Sequence, residues 1–352
     1  MIKYTPISGR KIAFAVVGCG RIAAKHFEAL ESHPDSARIA AVCDVDPRAL
    51  SAAQKRTGAP GYATLNELLD NTDVDAVVLA TPSGLHSMQT VLAARTGRHV
   101  ITEKPMATHW RDGLAMVQAC DEAGVRLFVV KQNRRNTTLQ LVKRAMELKR
   151  FGRMFMVTIN VFWSRPQEYY DGAKWRGTWE FDGGALMNQA SHYVDLVDWL
   201  VGPVESVQAY VATLARNIQV EDTATVGVRW RSGALGSVNV TMLAYPKNFE
   251  GSITLVGEKG LVRIGGVAVN EIQAWQFADS HSDDAKIGSA SYETTSVYGF
   301  GHPLYYENVI ATLRGEADAE TDGREGLRSL EILIASYLSA RDGRRVALPL
   351  DY

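Results

Sequence analysis

Residues 11 to 130 alternate short, nearly continuous apolar runs with helical segments. The runs are KIAFAVVGCG (11–20), RIAAVCD (38–44), VDAVVLATP (74–82), HVITEKP (99–105) and VRLFVV (125–130). Such runs are typical of parallel strands that are covered on both faces. Helical patterns, for example residues 21–33 and 110–124, lie between them. The repetition of strand and helix predicts an α/β domain with a doubly wound parallel sheet, which we place in residues 1–130.

The pattern changes after residue 150, where apolar and polar residues alternate. The alternating stretches are 154–165, 204–215, 223–243 and 249–266. Alternation predicts an antiparallel sheet with one face open to solvent. Helical segments flank these stretches, at 183–202, 304–315 and 323–340. We therefore expect an α+β domain with an open-faced antiparallel sheet in residues 131–352, with a flexible excursion in the polar stretch 277–298.

Composition and charge exclude several classes of protein. The chain has 352 residues and a formal net charge of −1, without a block of Lys and Arg that could follow nucleic acid phosphates. Its apolar stretches are far shorter than a bilayer span, and the first residues lack the apolar core of a signal peptide. Cys19, Cys43 and Cys120 show no C-x-x-C spacing. We expect a cytoplasmic protein with no nucleic acid or membrane partner and with its cysteines in the core.

The turn GCGRIA (18–23) fits the G-x-G-x-x-G/A fingerprint and lies directly between a predicted strand and a predicted helix. Gly18 would allow the tight turn, Gly20 would let the backbone approach a diphosphate, and Ala23 would let the helix pack on the sheet. Arg21 and Ile22 open the helix whose N–H groups would face the phosphates. A glycine-rich turn can also be a plain connection, but its strand and helix context favours a Rossmann-type dinucleotide site.

Asp44 ends the second predicted strand, 26 residues after Gly18. A carboxylate at this point can accept hydrogen bonds from the adenosine ribose hydroxyls, and it would repel a 2′-phosphate. The predicted cofactor is therefore NAD. Arg48 lies close by in the sequence and keeps NADP as an alternative.

The stretch ATPSGLH (80–86) follows the next long strand. Its polar residues would lie at the carboxyl edge of the sheet, where doubly wound folds bind their ligands. We expect cofactor contacts from Thr81, Pro82, Ser83 and His86. The alternative is a Pro-Gly turn in which Ser83 caps the following helix.

VITEKP (100–105) ends one strand further along the same edge. Glu103 and Lys104 would emerge beside the nicotinamide end of the cofactor. The proline that follows favours an extended backbone at Lys104. On position alone, a solvated lysine at a strand end is an equal alternative.

NQASHYVD (188–195) places Asn188 and His192 four residues apart on a predicted helix, with Asp195 three residues further. Residues with this spacing share one helix face. A helical histidine is often a satisfied core residue, but the polar companions on this face favour a substrate-binding stripe. The histidines show no metal-ligand spacing, so we expect no catalytic metal.

The GxGxxA turn, the acid after the second strand, EKP at a strand end, and a histidine in a glycine-led helix together resemble the Gfo/Idh/MocA family of NAD(P)-dependent oxidoreductases. The resemblance covers nearly the whole chain and implies that Lys104 and His192 form a catalytic pair around the hydroxyl that is oxidised. Many relatives carry an aspartate where this chain has Asn188. An amide can position a hydroxyl but cannot take its proton, so a carboxylate-assisted relay is in doubt here.

Residues 162–196 are similar to the substrate segment of one branch of that family, the bacterial UDP-N-acetylglucosaminuronate 3-dehydrogenases of the WlbA/WbpB type. Cationic residues, including Arg165, could meet the uronate or diphosphate charge, and aromatic residues, including Tyr169, could pack on the sugar or uracil. The remaining cations and aromatics of the segment are Lys174, Arg176, Tyr170 and Trp175. The alternative structure is an ordinary strand followed by a surface loop.

The branch resemblance implies NAD-dependent oxidation of the sugar C3 hydroxyl in bacterial O-antigen synthesis, with Arg165, Tyr169, Asn188, Lys104 and His192 contacting the substrate. Two alternatives remain: a dehydrogenase of a free polyol or sugar such as inositol, and a non-catalytic dinucleotide-sensing regulator. The cationic and aromatic segment speaks against a small neutral polyol, and the presence of both Lys104 and His192 speaks against the regulator. An open sheet leaves broad apolar surface, so we expect a homo-oligomer, either a dimer or a tetramer.

Overall fold

The computed structural model describes residues 4–266, 268–294 and 299–350. The chain divides into two compact units, the first containing residues up to 131 together with 302–327, and the second containing 132–301 and the residues from 328 onward. Residues 302–327, which the sequence placed in the second domain, therefore group with the first unit. We keep the junction near residue 131 as a proposed domain boundary.

The first unit is built on a six-stranded sheet in which every neighbouring pair is parallel. Its strands are β1 (Ile12–Val17), β2 (Ala37–Cys43), β3 (Gly61–Tyr62), β4 (Ala76–Leu79), β5 (His99–Thr102) and β6 (Leu127–Val129). Their spatial order is β3-β2-β1-β4-β5-β6. The order reverses at β1, and the carboxyl ends of β1, β4 and β5 are neighbours, which confirms the predicted doubly wound sheet.

Helices connect these strands, and local capping sets several of their ends. They are α1 (Ala23–Glu31), α2 (Pro47–Thr57), α3 (Leu65–Asn71), α4 (His86–Arg95) and α5 (Trp110–Glu122). The Asp46 side chain accepts the Arg48 N–H at the start of α2, and Gly58 ends that helix in the left-handed conformation with φ +69°.

The core of the first unit includes a helix from much later in the chain. Phe14 and Ile101 of the sheet are completely or almost completely buried. The same cluster contains Tyr306 and Leu313 from α10 (Gly301–Leu313). The Tyr306 ring meets Phe14 edge to face at 6.0 Å. One side of the sheet is therefore covered by residues that lie, in sequence, between the two parts of the second unit.

The second unit contains an eight-stranded sheet. Its strands are β7 (Met154–Phe162), β8 (Val204–Ala212), β9 (Thr223–Trp230), β10 (Leu235–Thr241), β11 (Glu250–Gly257), β12 (Gly260–Gly265), β13 (Glu271–Phe277) and β14 (Val346–Ala347). The order is β13-β12-β11-β7-β10-β9-β8-β14. All pairs are antiparallel except β7 with β10, which are parallel. The open-faced α+β architecture is confirmed, but the sheet is mixed, because β7 is inserted between two strands of the later meander.

The second unit also contains helices. They are α6 (Thr137–Glu147), α7 (Gln167–Asp171), α8 (Ser191–Val201), α9 (Ile287–Ala290) and the part of α11 (Gly323–Asp342) from Arg328 onward. In the predicted excursion 277–298, a 3₁₀ turn (Ser282–Lys286) and α9 are formed, and residues 295–298 lie outside the described residues. Among the described residues, none of the helices combines the length and apolar character that crossing a membrane requires.

Candidate active site

The predicted fingerprint turn has the backbone that a diphosphate site needs. Gly18 has φ +89°, and a Cβ at this position would lie 2.6 Å from the carbonyl oxygen of Ala80, so only glycine fits. Ala23 is fully buried at the start of α1, as close packing on the sheet requires. A Cβ at Gly20 would meet nothing within 4 Å. The backbone at Gly20 therefore faces open space beside the N-terminus of α1, which fits a bound diphosphate.

The Asp44 side chain is hydrogen-bonded to the glycine-rich turn 18–23. Its Oδ2 accepts the Cys19 N–H at 2.6 Å, and its Oδ1 accepts the Asp46 N–H at 2.8 Å. A carboxylate has about four acceptor positions, so Asp44 retains capacity for ribose hydroxyls. Burial, together with the negative charge of Asp44, raises the pKa of the Cys19 thiol to about 12. Cys43 and Cys120 are buried, as expected, whereas Cys19 is only partly so.

The residues after β4 for which we predicted cofactor contacts have different local structures. The Thr81 hydroxyl donates to Gln89 Oε1 at 2.6 Å, and Ser83 is buried in a 3₁₀ turn. Leu85, rather than Ser83, occupies the N-cap position of α4, so the alternative role of Ser83 as the helix cap is wrong. Pro82 precedes the 3₁₀ turn as its N-cap.

His86 connects two strand ends. Its Nε2 lies 2.9 Å from the Thr81 carbonyl oxygen and its Nδ1 lies 3.0 Å from the Pro105 carbonyl oxygen. Burial lowers the pKa of His86, with the carbonyl contacts acting in the opposite direction. Because both ring nitrogens face backbone carbonyls, the ring ties the segment after β4 to the segment after β5.

Glu103 is buried within a network of the first unit. Its Oε1 lies 3.1 Å from His26 Nε2, and its Oε2 accepts the N–H of Lys104 at 3.1 Å. The other ring nitrogen of His26 lies 2.8 Å from the Tyr306 hydroxyl. Burial alone would raise the pKa of Glu103, but hydrogen bonds from His26 and His302 outweigh it and hold that pKa well below its usual range. The carboxylate therefore fixes the backbone at Lys104, whose peptide bond to Pro105 is cis.

In the second unit, the predicted helix over 183–202 is interrupted. Residues 185–189 form a π-helical turn, and α8 begins at Ser191 after a break at Ala190. Three N–H groups of the turn find partners outside it. Ala185 and Leu186 donate to the backbone carbonyl and the side chain of Glu221, and Met187 donates to the Tyr337 hydroxyl. The π-helical turn and the break at Ala190 interrupt the backbone, so the prediction of one continuous α-helix over 183–202 is wrong.

The side chain of Asn188 donates a hydrogen bond to the carboxylate of Asp182. Asp182 is buried, and its other oxygen accepts the Gly177 N–H at 2.7 Å. Because a carboxylate only accepts, the amide nitrogen must face Asp182 and the amide oxygen must point away from it. Asn188 is thus oriented by the segment that precedes it in sequence.

His192 lies in the first turn of α8 with 8% of its surface exposed. Its Nε2 is 3.3 Å from the side-chain nitrogen of Gln132. Asp195, expected beside it, is bound to Arg134 through two hydrogen bonds of 2.8 and 2.7 Å. The apolar residues of the turn and of α8, namely Leu186, Ala190, Val194 and Val197, are buried.

The predicted substrate segment is organised by contacts between cations and aromatic rings. Arg165 lies over the rings of Trp163 and Tyr169, at 5.1 and 5.4 Å from their centroids. Arg176 lies 4.4 Å from the Tyr169 centroid. Lys174 is exposed. The segment is therefore a packed structure around Tyr169 rather than a loose surface loop.

Several residues of these networks were not predicted from the sequence. They are His26 and Tyr306 in the first unit and Gln132, Asp182, Gln189, Glu221 and Asn248 in the second. Gln189 stands next to Asn188 in the motif 188–195, and Asp182 lies in the segment 162–196, but neither was assigned a role. Within the part of the chain that the structure describes, no group of three or more His, Cys, Asp or Glu is placed to hold a metal ion.

The first unit is that of a dinucleotide-dependent oxidoreductase, since an open glycine turn, a helix N-terminus and a strand-end carboxylate converge at one edge of a parallel sheet. Residues 12–131 match the oxidoreductase family, NAD-binding Rossmann fold, and residues 143–348 match the C-terminal alpha/beta domain of the same family. The chain belongs to the Gfo/Idh/MocA family of oxidoreductases. The predicted family, enzyme class and NAD cofactor are confirmed.

Two solved structures are similar over almost the entire chain. The WlbA dehydrogenase of Chromobacterium violaceum, in complex with NADH and UDP-GlcNAcA, is 70% identical, with a TM-score of 0.96 and full coverage of both chains. The WlbA dehydrogenase of Bordetella pertussis, in complex with the same two ligands, is 66% identical with a TM-score of 0.96, and covers 98% of this chain and 100% of its own. D-apiose dehydrogenase of Paraburkholderia graminis is 27% identical over 99% of this chain and 92% of its own length.

Proposed function

We propose that this enzyme oxidises the C3 hydroxyl of UDP-N-acetylglucosaminuronate with NAD, as a step in bacterial O-antigen nucleotide-sugar synthesis. The observation that carries the proposal is the identity of 70% and 66% to two dehydrogenases whose structures hold NADH and UDP-GlcNAcA. The packed cationic and aromatic segment around Tyr169 supports a charged nucleotide-sugar substrate. The expected cytoplasmic location belongs to the same proposal.

The bound NAD would supply the acceptor for the hydride that leaves the sugar carbon. We assign the fingerprint residues Gly18, Gly20, Arg21 and Ile22 to the diphosphate, and Asp44 to the ribose. Thr81, Pro82 and Ser83 line the same sheet edge. Glu103 and His86 hold the two segments from which Lys104 and Thr81 project.

Lys104 and His192 carry the proton chemistry in this proposal. The ammonium of Lys104 would stabilise negative charge developing on the reacting oxygen, and the imidazole of His192 would accept the hydroxyl proton. Gln132, 3.3 Å from His192 Nε2, limits the orientation of the ring. Asn188 would accept a hydrogen bond from a donor on the sugar, because its amide nitrogen is held by Asp182.

Substrate turnover tests this function directly. We would follow NADH formation at 340 nm with UDP-N-acetylglucosaminuronate, UDP-N-acetylglucosamine, myo-inositol, D-apiose and D-glucose, and identify the product by mass spectrometry. The proposal expects kcat/KM at least about 100-fold higher for the uronate than for any free sugar. Higher efficiency with a free sugar or polyol would contradict it.

Lys104→Ala tests the mechanism on the same substrate. We expect kcat to fall by about 10² or more, because one stabilising donor at the reacting oxygen is lost, while NADH affinity and thermal stability persist. Lys11→Ala, an exposed lysine of the same unit, is the matched control. Near-normal turnover by Lys104→Ala would remove Lys104 from the reaction.

A dehydrogenase of a free sugar is the second candidate function. It is favoured by the relative named D-apiose dehydrogenase, which matches 99% of this chain at 27% identity. The same substrate panel decides between the two functions.

A further inference from the structure

Gln189 joins two residues of the substrate segment through both ends of its amide. Its Oε1 accepts a hydrogen bond from Arg165 Nε at 3.0 Å, and its Nε2 donates to the Tyr169 hydroxyl oxygen at 3.2 Å. Gln189 is the last residue of the π-helical turn and follows Asn188 directly. The turn is thereby connected to Arg165 and Tyr169 by one side chain.

The orientation of this amide is fixed by its partners. Arg165 Nε–H can only donate, so the oxygen of Gln189 must face Arg165 and the nitrogen must face Tyr169. Since the Tyr169 oxygen accepts a hydrogen bond from Gln189, the hydroxyl proton of Tyr169 points in another direction. The Tyr169 hydroxyl can therefore donate its proton to a group that binds beside it.

The Arg165 guanidinium is held on its other side as well. Its Nη1 donates to the Ser164 carbonyl oxygen at 2.8 Å and to Asn248 Oδ1 at 3.1 Å. The guanidinium also lies 5.4 Å from the centroid of the Tyr169 ring. A fixed positive charge and a directed hydroxyl donor stand next to each other, which is an arrangement that favours a carboxylate over a neutral group.

We propose that Gln189 is a specificity-determining positioning residue, which makes Arg165 and Tyr169 select the carboxylate of a uronate sugar over the hydroxymethyl group of the neutral sugar. The inference rests on the proposed nucleotide-sugar function and adds to it the residue that sets the hydrogen-bond polarity of Tyr169. Gln189 acts through Arg165 and Tyr169 and takes no part in the proton transfer.

Gln189→Glu reverses that polarity with almost no change in size. A carboxylate at this position still accepts from Arg165, but it also accepts from the Tyr169 hydroxyl, whose proton then turns inward. The Tyr169 oxygen becomes an acceptor toward the ligand, and a negative charge is added close to the bound carboxylate. Both changes oppose a uronate, whereas a hydroxymethyl group can donate to the altered Tyr169.

The experiment measures calorimetric Kd values of NADH-loaded protein for UDP-N-acetylglucosaminuronate and UDP-N-acetylglucosamine, together with KM and kcat for the uronate. For Gln189→Glu we expect Kd and KM for the uronate to rise by about tenfold or more. We expect kcat, and Kd for the neutral sugar, to change by less than about threefold. Gln189→Met, which removes both hydrogen bonds without adding charge, should weaken uronate binding by a smaller factor.

The control is Gln273→Glu, because Gln273 Oε1 accepts from Arg263 Nε at 2.9 Å in the same unit but away from the substrate segment. Gln273→Glu should leave Kd for both sugars, and KM and kcat for the uronate, unchanged. Equal weakening of both sugars by Gln189→Glu, or an unchanged Kd for the uronate, would overturn the inference. Wild-type protein that binds the uronate but does not oxidise it would overturn the proposed function instead, and the binding comparison would still decide the role of Gln189. Thermal unfolding of each variant identifies misfolding, in which case Gln189→Met alone carries the comparison.

Discussion

The amide of Asn188 donates a hydrogen bond to the carboxylate of Asp182, six residues earlier in the chain. Asp182 is buried, so a buried carboxylate lies one hydrogen bond away from the side chain of Asn188. The pair joins the backbone at Gly177 to the π-helical turn, because Asp182 also accepts the Gly177 N–H. This relationship changes what a substitution at Asn188 would do.

Asn188→Asp should destabilise the protein in a pH-dependent way. The new carboxylate would face that of Asp182, and two like charges at hydrogen-bond distance cannot both ionise without a large cost. One proton is retained at low pH, and its loss as the pH rises should lower the free energy of unfolding by about 3 kcal/mol. Urea unfolding at pH 5 and pH 8 would measure this. Asn239→Asp, whose amide donates to Asn160 rather than to a carboxylate, is the control, and equal pH dependence in both variants would contradict the prediction.

The cofactor preference should depend on Asp44. With its carboxylate at the ribose, kcat/KM for NAD should exceed that for NADP by about tenfold or more, equivalent to about 1.4 kcal/mol. Asp44→Asn keeps an acceptor for the Cys19 N–H but removes the negative charge. The ratio of kcat/KM for NAD to kcat/KM for NADP should therefore fall. Asp46→Asn removes a charge two residues away and should leave the ratio close to the wild-type value. Equal efficiency of the wild-type enzyme with both cofactors would refute the assignment.

Glu221 should make the second unit less stable as the pH rises. Burial raises the pKa of Glu221 to about 7, although hydrogen bonds from the Leu186 N–H and the Tyr337 hydroxyl act in the opposite direction. Between about pH 4.5 and 7 the unfolded chain has released this proton while the folded protein retains it. The free energy of unfolding therefore falls by about 3 kcal/mol across that window.

Glu221→Gln removes the titration and keeps an acceptor for both donors. Relative to wild type, this variant should gain about 3 kcal/mol of stability between pH 5 and pH 8, measured by urea unfolding at each pH. Glu147→Gln, an exposed acid at the end of α6, should show the wild-type pH dependence. A parallel pH dependence for wild type and Glu221→Gln would contradict the prediction.

The open face of the eight-stranded sheet should mediate self-association. Met156 and Leu235 are paired across β7 and β10 and are 46% and 50% exposed, and Tyr210 on β8 is 72% exposed. We expect a dimer or tetramer by light scattering at micromolar concentration, and Leu235→Glu should shift it toward the monomer because a charge is placed in an apolar contact. A monomeric wild-type mass would refute this prediction.

The parallel sheet could be predicted because each of its main strands has a recognisable sequence pattern within the strand itself. A strand that is buried on both faces has a continuous run of apolar residues in its sequence. β1 is an example, because all of its residues are completely or almost completely buried. The positive φ of Gly18 was also predictable locally, from the turn between β1 and α1, whereas its close approach to the Ala80 carbonyl oxygen was not. By contrast, β3 and β14 contain two residues each, which is too short for any period to appear.

The structure of the second unit was harder to predict, because the residues that contact its candidate site are distant from that site in sequence. In the π-helical turn, the N–H groups of Leu186 and Met187 donate to Glu221 and Tyr337, which are 35 and 150 residues away in sequence. The parallel pairing of β7 with β10 was likewise not predictable from β7 alone, because it depends on the positions that β10 and β11 take in the sheet. Asp182 lies only six residues from Asn188, but nothing in the apolar pattern indicated that its carboxylate is buried and faces that amide.

The position of α10 in the core of the first unit has a consequence for biosynthesis. Tyr306 packs on Phe14 of β1, and Ile7 donates its N–H to the carbonyl of Leu313. A ribosome delivers roughly 5–20 residues per second, so the N-terminal sheet waits many seconds for the helix that covers it. During that interval the part of the apolar core that Tyr306 and Leu313 cover in the folded protein stays exposed, which favours aggregation of the nascent chain until about residue 313 has emerged.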